Sequence, residues 1–200
     1  MTITYIIGGG LYVNVTNRCT NRCDFCIRKN GSSAYGSGNL WLEREPDVDE
    51  ITADIEKHEL SRFEELVFCG YGEPAMRLYD ILEVIRRVRQ KSGIKVRINT
   101  NGQADLIYSK PTAHLLKGLV DTVSISLNES DAARYDRVCH SIYGAAAYPA
   151  VIAYAVDCLK YVPRVVFTVV DVIPPQEIEK CRLTALGAGV EFRVRKMIKK

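Results

Sequence analysis

Three cysteines, Cys19, Cys23 and Cys26, fall within the stretch Cys19-Thr20-Asn21-Arg22-Cys23-Asp24-Phe25-Cys26 of a 200-residue chain. Thiolates are soft ligands that suit zinc or the iron of an iron–sulfur cluster. A structural zinc site takes four ligands, and a cluster is usually held by four cysteines. Here the next cysteine is Cys69 and no histidine lies nearby, so the local count stops at three. Three thiolates on a four-iron cluster leave one iron open to a further ligand. The spacing also admits a zinc knuckle, a redox pair, or core cysteines with no shared role.

A second stretch with chemical potential is Gly70-Tyr71-Gly72-Glu73-Pro74. Glycine lets a backbone approach a ligand closely, and a carboxylate beside it accepts hydrogen bonds from an ammonium. Read alone, the segment is also a good strand-to-helix turn, with proline near the helix start. Polar side chains recur at two later strand ends, Asn99 and Asn101, then Ser126 and Asn128. Cys69, Cys139, Cys158 and Cys181 are isolated, and His58, His114 and His140 lack metal-ligand spacing.

Strands and helices alternate along the chain. Strands are expected at Leu11 to Thr16, Leu66 to Cys69, Lys95 to Asn99, Thr122 to Leu127, Arg164 to Val172 and Glu191 to Arg195. Between them, Asp47 with Glu50 reads as a capping box. The spacing of Leu78, Ile81, Leu82, Ile85 and Val88 predicts an amphipathic helix. Further helical segments are expected near Thr112 to Lys117, Asp131 to Cys139, Ala150 to Tyr161 and after Pro174-Pro175. A long loop, Asn30 to Pro46, follows the cysteines, with Trp41 expected to fix its end to the core. This alternation predicts an α/β fold with a parallel sheet, in one domain covering residues 1–200. The cysteines and the glycine turn both follow strands directly, where α/β folds place their sites.

Several strands split into an apolar and a polar face. Val123, Ile125 and Leu127 oppose Ser124, Ser126 and Asn128; Val96 and Ile98 oppose Arg97 and Asn99; Phe192 and Val194 oppose Arg193 and Arg195. A parallel strand covered on both sides reads as a continuous apolar run. The expectation is therefore that the apolar faces meet helices and the polar faces line a cavity. Arg97, Arg193 and Arg195 are then candidate anchors for an anionic substrate, or partners of interior carboxylates. An exposed sheet face on a doubly wound layer is the alternative.

The cysteine spacing, with Phe25 before the last thiol, together with Gly70 to Pro74, resembles the radical S-adenosylmethionine (SAM) superfamily. Tyr71 stands where that family's glycine-rich motif has its first glycine. The resemblance spans nearly the whole chain and implies an open six-stranded parallel (β/α)6 three-quarter barrel. It implies a [4Fe–4S] cluster on Cys19, Cys23 and Cys26, with SAM on the open iron. It further implies SAM contacts from Phe25, Gly70, Tyr71, Gly72, Glu73, Asn99, Asn101, Ser126 and Asn128. The implied reaction is reductive cleavage of SAM to a 5′-deoxyadenosyl radical, which abstracts hydrogen from a substrate the sequence does not identify. An electron donor such as flavodoxin or ferredoxin would supply the electron. Tyr35 and Tyr71 are candidates for hydrogen transfer. With Asn39-Leu40-Trp41-Leu42-Glu43, the motifs look most like the TatD-associated group, implying a functional link to a TatD-like hydrolase.

Composition narrows the classes. A net charge of +3 with mixed signs argues for neither nucleic acid nor membrane. No apolar run approaches the ~20 residues of a membrane helix. Seven cysteines, three of them clustered, point to reduced thiols and a cytoplasmic setting. The rival reading is a non-enzymatic zinc-binding interaction module, with a fourth ligand from this chain or a partner.

Overall fold

The computed structural model describes residues 1–33 and 36–197; Tyr35 lies outside them. The strands are Thr4–Ile7 (β1), Gly10–Val13 (β2), Glu65–Phe68 (β3), Lys95–Thr100 (β4), Thr122–Ser126 (β5), Arg164–Val170 (β6) and Glu191–Arg195 (β7). They form one sheet in the order of the chain. β1 pairs antiparallel with β2, and all later pairs are parallel. A doubly wound sheet reverses its order at a switch point; this one never does, and β1 does not pair with β7. The sheet is an open, sequentially wound layer.

The expected six parallel strands are present as β2 to β7, but the count is corrected to seven by the antiparallel β1. A two-residue turn, Gly8-Gly9, joins β1 to β2, with Ile7 opposite Gly10. Gly8 has φ 54°, the left-handed region such hairpin turns require and glycine enters freely.

Helices follow at Val48–Glu56 (α1), Leu78–Arg89 (α2), Ala104–Tyr108 (α3), Ala132–Cys139 (α4), Ala147–Cys158 (α5) and Pro175–Gly187 (α6). α1 begins with the expected capping box between Asp47 and Glu50. α2 buries Leu78, Ile81, Leu82, Val84, Ile85 and Val88. Each such side chain contributes about 1.5–3 kcal/mol on leaving water. α3 was not expected. The helix expected at Thr112 to Lys117 is only a 3-10 turn, Ala113–Leu116, ended by Gly118 at φ 72°; ahead of it the Thr112 N–H and hydroxyl both donate to Asp105 Oδ1.

The main core lies on the helix side of the sheet, where Val96, Ile98, Val123, Ile125, Val165 and Phe167 are buried with the helices. The other side carries a separate small cluster, Tyr5, Leu40 and Tyr71, with Tyr12 packed against it. Tyr5 and Tyr12 face each other across the hairpin with ring centroids 5.4 Å apart. On β4 and β5 the split between strand faces thus has a physical counterpart: Val96, Ile98, Val123 and Ile125 meet helices, while Asn99 and Ser126 face a cavity shared with Tyr5 and Tyr71.

Candidate metal and cofactor site

That cavity, of about 250 Å³, opens where β3 to β7 end. All twelve residues singled out in the sequence line it: the three cysteines, Phe25, Gly70 to Glu73, Asn99, Asn101, Ser126 and Asn128.

The cysteine segment has no regular structure of its own and is held by hydrogen bonds to distant parts of the chain. The Arg22 and Asp24 N–H groups each donate at 2.9 Å to carbonyls at the end of α4, those of Cys139 and Val138. The Thr20 hydroxyl accepts from Asn101 Nδ2 at 2.7 Å. Gln103, fully buried, donates to both Asn21 Oδ1 and the Tyr135 hydroxyl at 2.9 Å, and accepts from the Ser141 hydroxyl at 3.1 Å. Asn21 closes the set by donating to the Tyr135 hydroxyl. A buried network satisfied in this way is rigid. Thr20, Asn21, Gln103, Tyr135 and Ser141 were not foreseen. The only hint was the polar Thr20-Asn21 pair between two cysteines.

Burial, with Glu73 nearby, pushes the Cys19 thiol up to about 12. A hydrogen bond with the Cys139 thiol, then burial, raises that of Cys23. Thiols this reluctant to ionise alone become thiolates when a metal supplies positive charge. Among the described residues, no three His, Cys, Asp or Glu side chains close around a single metal ion. A zinc site needs all its ligands about 2.0–2.3 Å from one ion. A cluster instead takes its thiolates on separate irons, and three cysteine sulfurs are the soft donors that such irons take.

The turn after β3 packs hard against the stem of the cysteine segment. A Cβ on Gly72 would stand 2.3 Å from the Thr16 carbonyl oxygen and 2.6 Å from that of Arg18. The Glu73 N–H donates to the same Arg18 carbonyl at 2.8 Å. The Glu73 carboxylate is 4% exposed and already engaged. Oε1 accepts from Ala75 N and the Thr100 hydroxyl, and Oε2 accepts from Asn101 N at 2.6 Å. Burial still lifts its pKa to about 7. Sequence reasoning offered Glu73 as an acceptor for a ligand ammonium; in the structure its first task is to tie two strand ends together.

Tyr71 is buried, and its hydroxyl donates to the Gly31 carbonyl at 2.9 Å. Its ring meets Trp41 edge-on at 5.1 Å, and Arg28 lies 6.0 Å from the Trp41 ring. Trp41 does not fix the loop to the core: it remains 38% exposed, while its neighbours Leu40 and Leu42 are buried. Asn14 and Asn17 take their carbonyls at 2.7 and 2.8 Å. The bulk of an indole suits a rim better than a crowded interior already filled by two leucines.

At the far strand ends, Asn99 accepts from Arg97 at 2.8 Å, and Ser126 is half-buried. Asn128 adopts φ 63° and is 4% exposed. Its Nδ2 donates to the Cys139 sulfur at 3.5 Å, while its buried Oδ1 has no partner among the described residues. An orphaned acceptor on a cavity wall fits a ligand carrying hydroxyl or amino groups. Of the three arginines, Arg97 is paired with Glu65 and Arg195 lines the cavity. Arg193 is exposed and not part of the lining.

The fold and site define an open, mostly parallel α/β sheet with three thiols and a glycine–glutamate turn around one cavity. A model of the radical SAM superfamily matches residues 13–184, and the chain belongs to that superfamily. Its members are enzymes that use a [4Fe–4S] cluster and SAM. The chain is similar to a GTP 3′,8-cyclase of Lactiplantibacillus plantarum, 32% identical over 63% of this chain and 35% of that one. It is also similar to a probable dual-specificity RNA methyltransferase RlmN of Trichodesmium erythraeum, 29% identical over 72% of this chain and 39% of that one. It thus spans little more than a third of these relatives. Among solved structures, SAM-bound SuiB of Streptococcus suis superposes with TM-score 0.65 at 15% identity, over 94% of this chain and 38% of that one. That likeness concerns the fold.

Proposed function

We propose that Cys19, Cys23 and Cys26 ligate three irons of a [4Fe–4S] cluster and that the adjoining cavity binds SAM. Bound together, the two supply reductive cleavage of SAM and a 5′-deoxyadenosyl radical that takes hydrogen from a substrate. The chain's own groups prepare the site. The Gln103–Asn21–Tyr135 network fixes the thiol segment. Glu73 holds the glycine turn against β4, so that the backbone of Gly70 to Gly72 faces the ligand. Phe25 offers an apolar face, and Asn99, Ser126 and Asn128 offer polar groups to the ribose, adenine and carboxylate. Oδ1 of Asn128 is the acceptor still without a partner.

The observation that carries this reading is the convergence of the three thiols and the Gly70–Glu73 turn on one cavity at the strand ends. Nothing in the described geometry favours the zinc module. The relatives' names span a cyclase and an RNA methyltransferase, so similarity leaves the substrate open. Nor do the cations at the end of α2 and just beyond it argue for nucleic acid. Arg87 pairs with Asp49 and Glu83, Arg89 with Asp121, and Lys91 with Glu56, away from the cavity. Assignment to the TatD-associated group, with its link to a TatD-like hydrolase, is supported by the motif residues alone. A flavodoxin or ferredoxin as reductant and a cytoplasmic setting complete the proposal. Among the described residues no helix is long and apolar enough to cross a membrane.

The test is anaerobic incubation of cluster-loaded protein with SAM and dithionite, reading 5′-deoxyadenosine by chromatography. Formation by the parent protein and its loss in Cys26→Ala are the expected results. No nucleoside from fully loaded protein would overturn the proposal.

A further inference from the structure

The cavity side of the sheet carries four arginines whose charges act on one another: Arg97, Arg164, Arg193 and Arg195. Two are neutralised. Arg97 makes a two-pronged pair with Glu65, and Arg164 pairs with Glu191. Among the described residues, Arg193 and Arg195 have no carboxylate partner. They stand two residues apart on β7, and so on the same side of the strand. Arg195 lines the cavity, and its buried Nε has no hydrogen-bond partner among the described residues. Lys196 joins it in the lining. Among the described residues of that lining Glu73 is the single carboxylate, and its oxygens are taken by Ala75, Thr100 and Asn101.

A half-buried guanidinium without a counter-charge is unfavourable unless an anion completes it. Guanidinium groups bind phosphoryl oxygens through paired N–H donors, and two adjacent ones match a doubly charged group. We propose that Arg195, with Arg193 beside it, binds a phosphate or diphosphate group of the substrate at the β7 end of the cavity. This rests on the radical SAM reading, because it assigns the remaining part of the same cavity. It places the anionic end of the substrate on β7, the last strand, with its reacting part directed towards the cysteine segment beyond β2.

The same arginine chemistry would suit the carboxylate of SAM, so the test separates the two sources. Inorganic pyrophosphate is titrated calorimetrically into cluster-loaded protein, with and without saturating SAM, and SAM is titrated separately. The expected result is pyrophosphate binding to SAM-loaded parent protein, weakened at least tenfold in Arg195→Gln and in Arg193→Gln. Arg195→Lys should recover part of the loss, and Arg164→Gln should bind like the parent. SAM affinity should stay within twofold throughout. Pyrophosphate binding that ignores Arg193 and Arg195, or is absent from the parent, would overturn the proposal. So would a tenfold loss of SAM affinity in Arg195→Gln with pyrophosphate excluded by SAM, since Arg195 would then hold the SAM carboxylate. Should SAM fail to bind, the cofactor reading falls, while the titration without SAM still decides the anion site.

Discussion

The Asn101 N–H donates to Glu73 Oε2 at 2.6 Å, tying the turn after β3 to the end of β4. The two residues are also coupled through Thr100, whose hydroxyl donates to the other carboxylate oxygen. In Glu73→Gln, one of these acceptors becomes an NH₂ facing a donor. An unmade buried hydrogen bond of this kind costs about 1–3 kcal/mol. The expected outcome is weaker SAM binding with the cluster retained, read by SAM titration of loaded protein. Unchanged affinity would show that the turn holds its shape without the carboxylate.

Glu73 also gives a pH dependence. Its folded pKa, about 7, lies above the ordinary 4.5. A carboxyl raised in the folded state contributes stability that is fully present below about 4.5. That contribution is lost as pH rises through 7, in total about 3 kcal/mol. The stability of the parent relative to Glu73→Gln should therefore fall between pH 4.5 and 7, measured by urea unfolding across that range. A difference that stays level or rises would mean that the three donors keep Glu73 ionised.

Gly72→Ala should press a methyl group into the Thr16 and Arg18 carbonyls, both backbone atoms that cannot swing aside. Overpacking of this kind typically costs about 1–3 kcal/mol. The stem of the cysteine segment should shift with it, lowering both Tm and iron content after reconstitution. Parent-like values for both would show that the stem yields freely.

Gln103→Leu removes a donor from Asn21 and an acceptor from Ser141 inside a closed interior. A loss of about 2–4 kcal/mol is expected, with faster loss of cluster iron to a chelator. Normal iron retention in a destabilised variant would show that the network serves the fold and not the thiol segment.

Tyr71→Phe should cost about 1 kcal/mol through the lost bond to Gly31. Tyr71→Ala should also strip the ring from Trp41, the single tryptophan. A red-shifted emission is expected for Tyr71→Ala and little shift for Tyr71→Phe. Identical spectra for Tyr71→Ala and the parent would separate Trp41 from the Tyr71 contact.

What the sequence disclosed follows how local each signal is. Cysteine spacing, the turn of Gly70 to Pro74 and the alternation of strand faces are written within a few residues, and the structure gathers the thiols, the turn and the polar strand ends Asn99, Ser126, Asn128 and Arg195 at one cavity. β1 escaped notice because it is four residues long and gains meaning only by pairing with β2. The role of Glu73 depends on Thr100 and Asn101, far along the chain, and Gln103 joins three separate segments. Alternation alone could not separate Arg97 from Arg195. It is Glu65, on the neighbouring strand, that neutralises the first and leaves the second to the cavity.

The most direct test of a three-thiol cluster with an open iron is anaerobic EPR of the reconstituted, reduced protein, recorded with and without SAM. A [4Fe–4S]⁺ signal that changes when SAM is added, and that disappears in Cys23→Ala, is the predicted result. A signal indifferent to SAM, or tightly held zinc in place of a cluster, would contradict it.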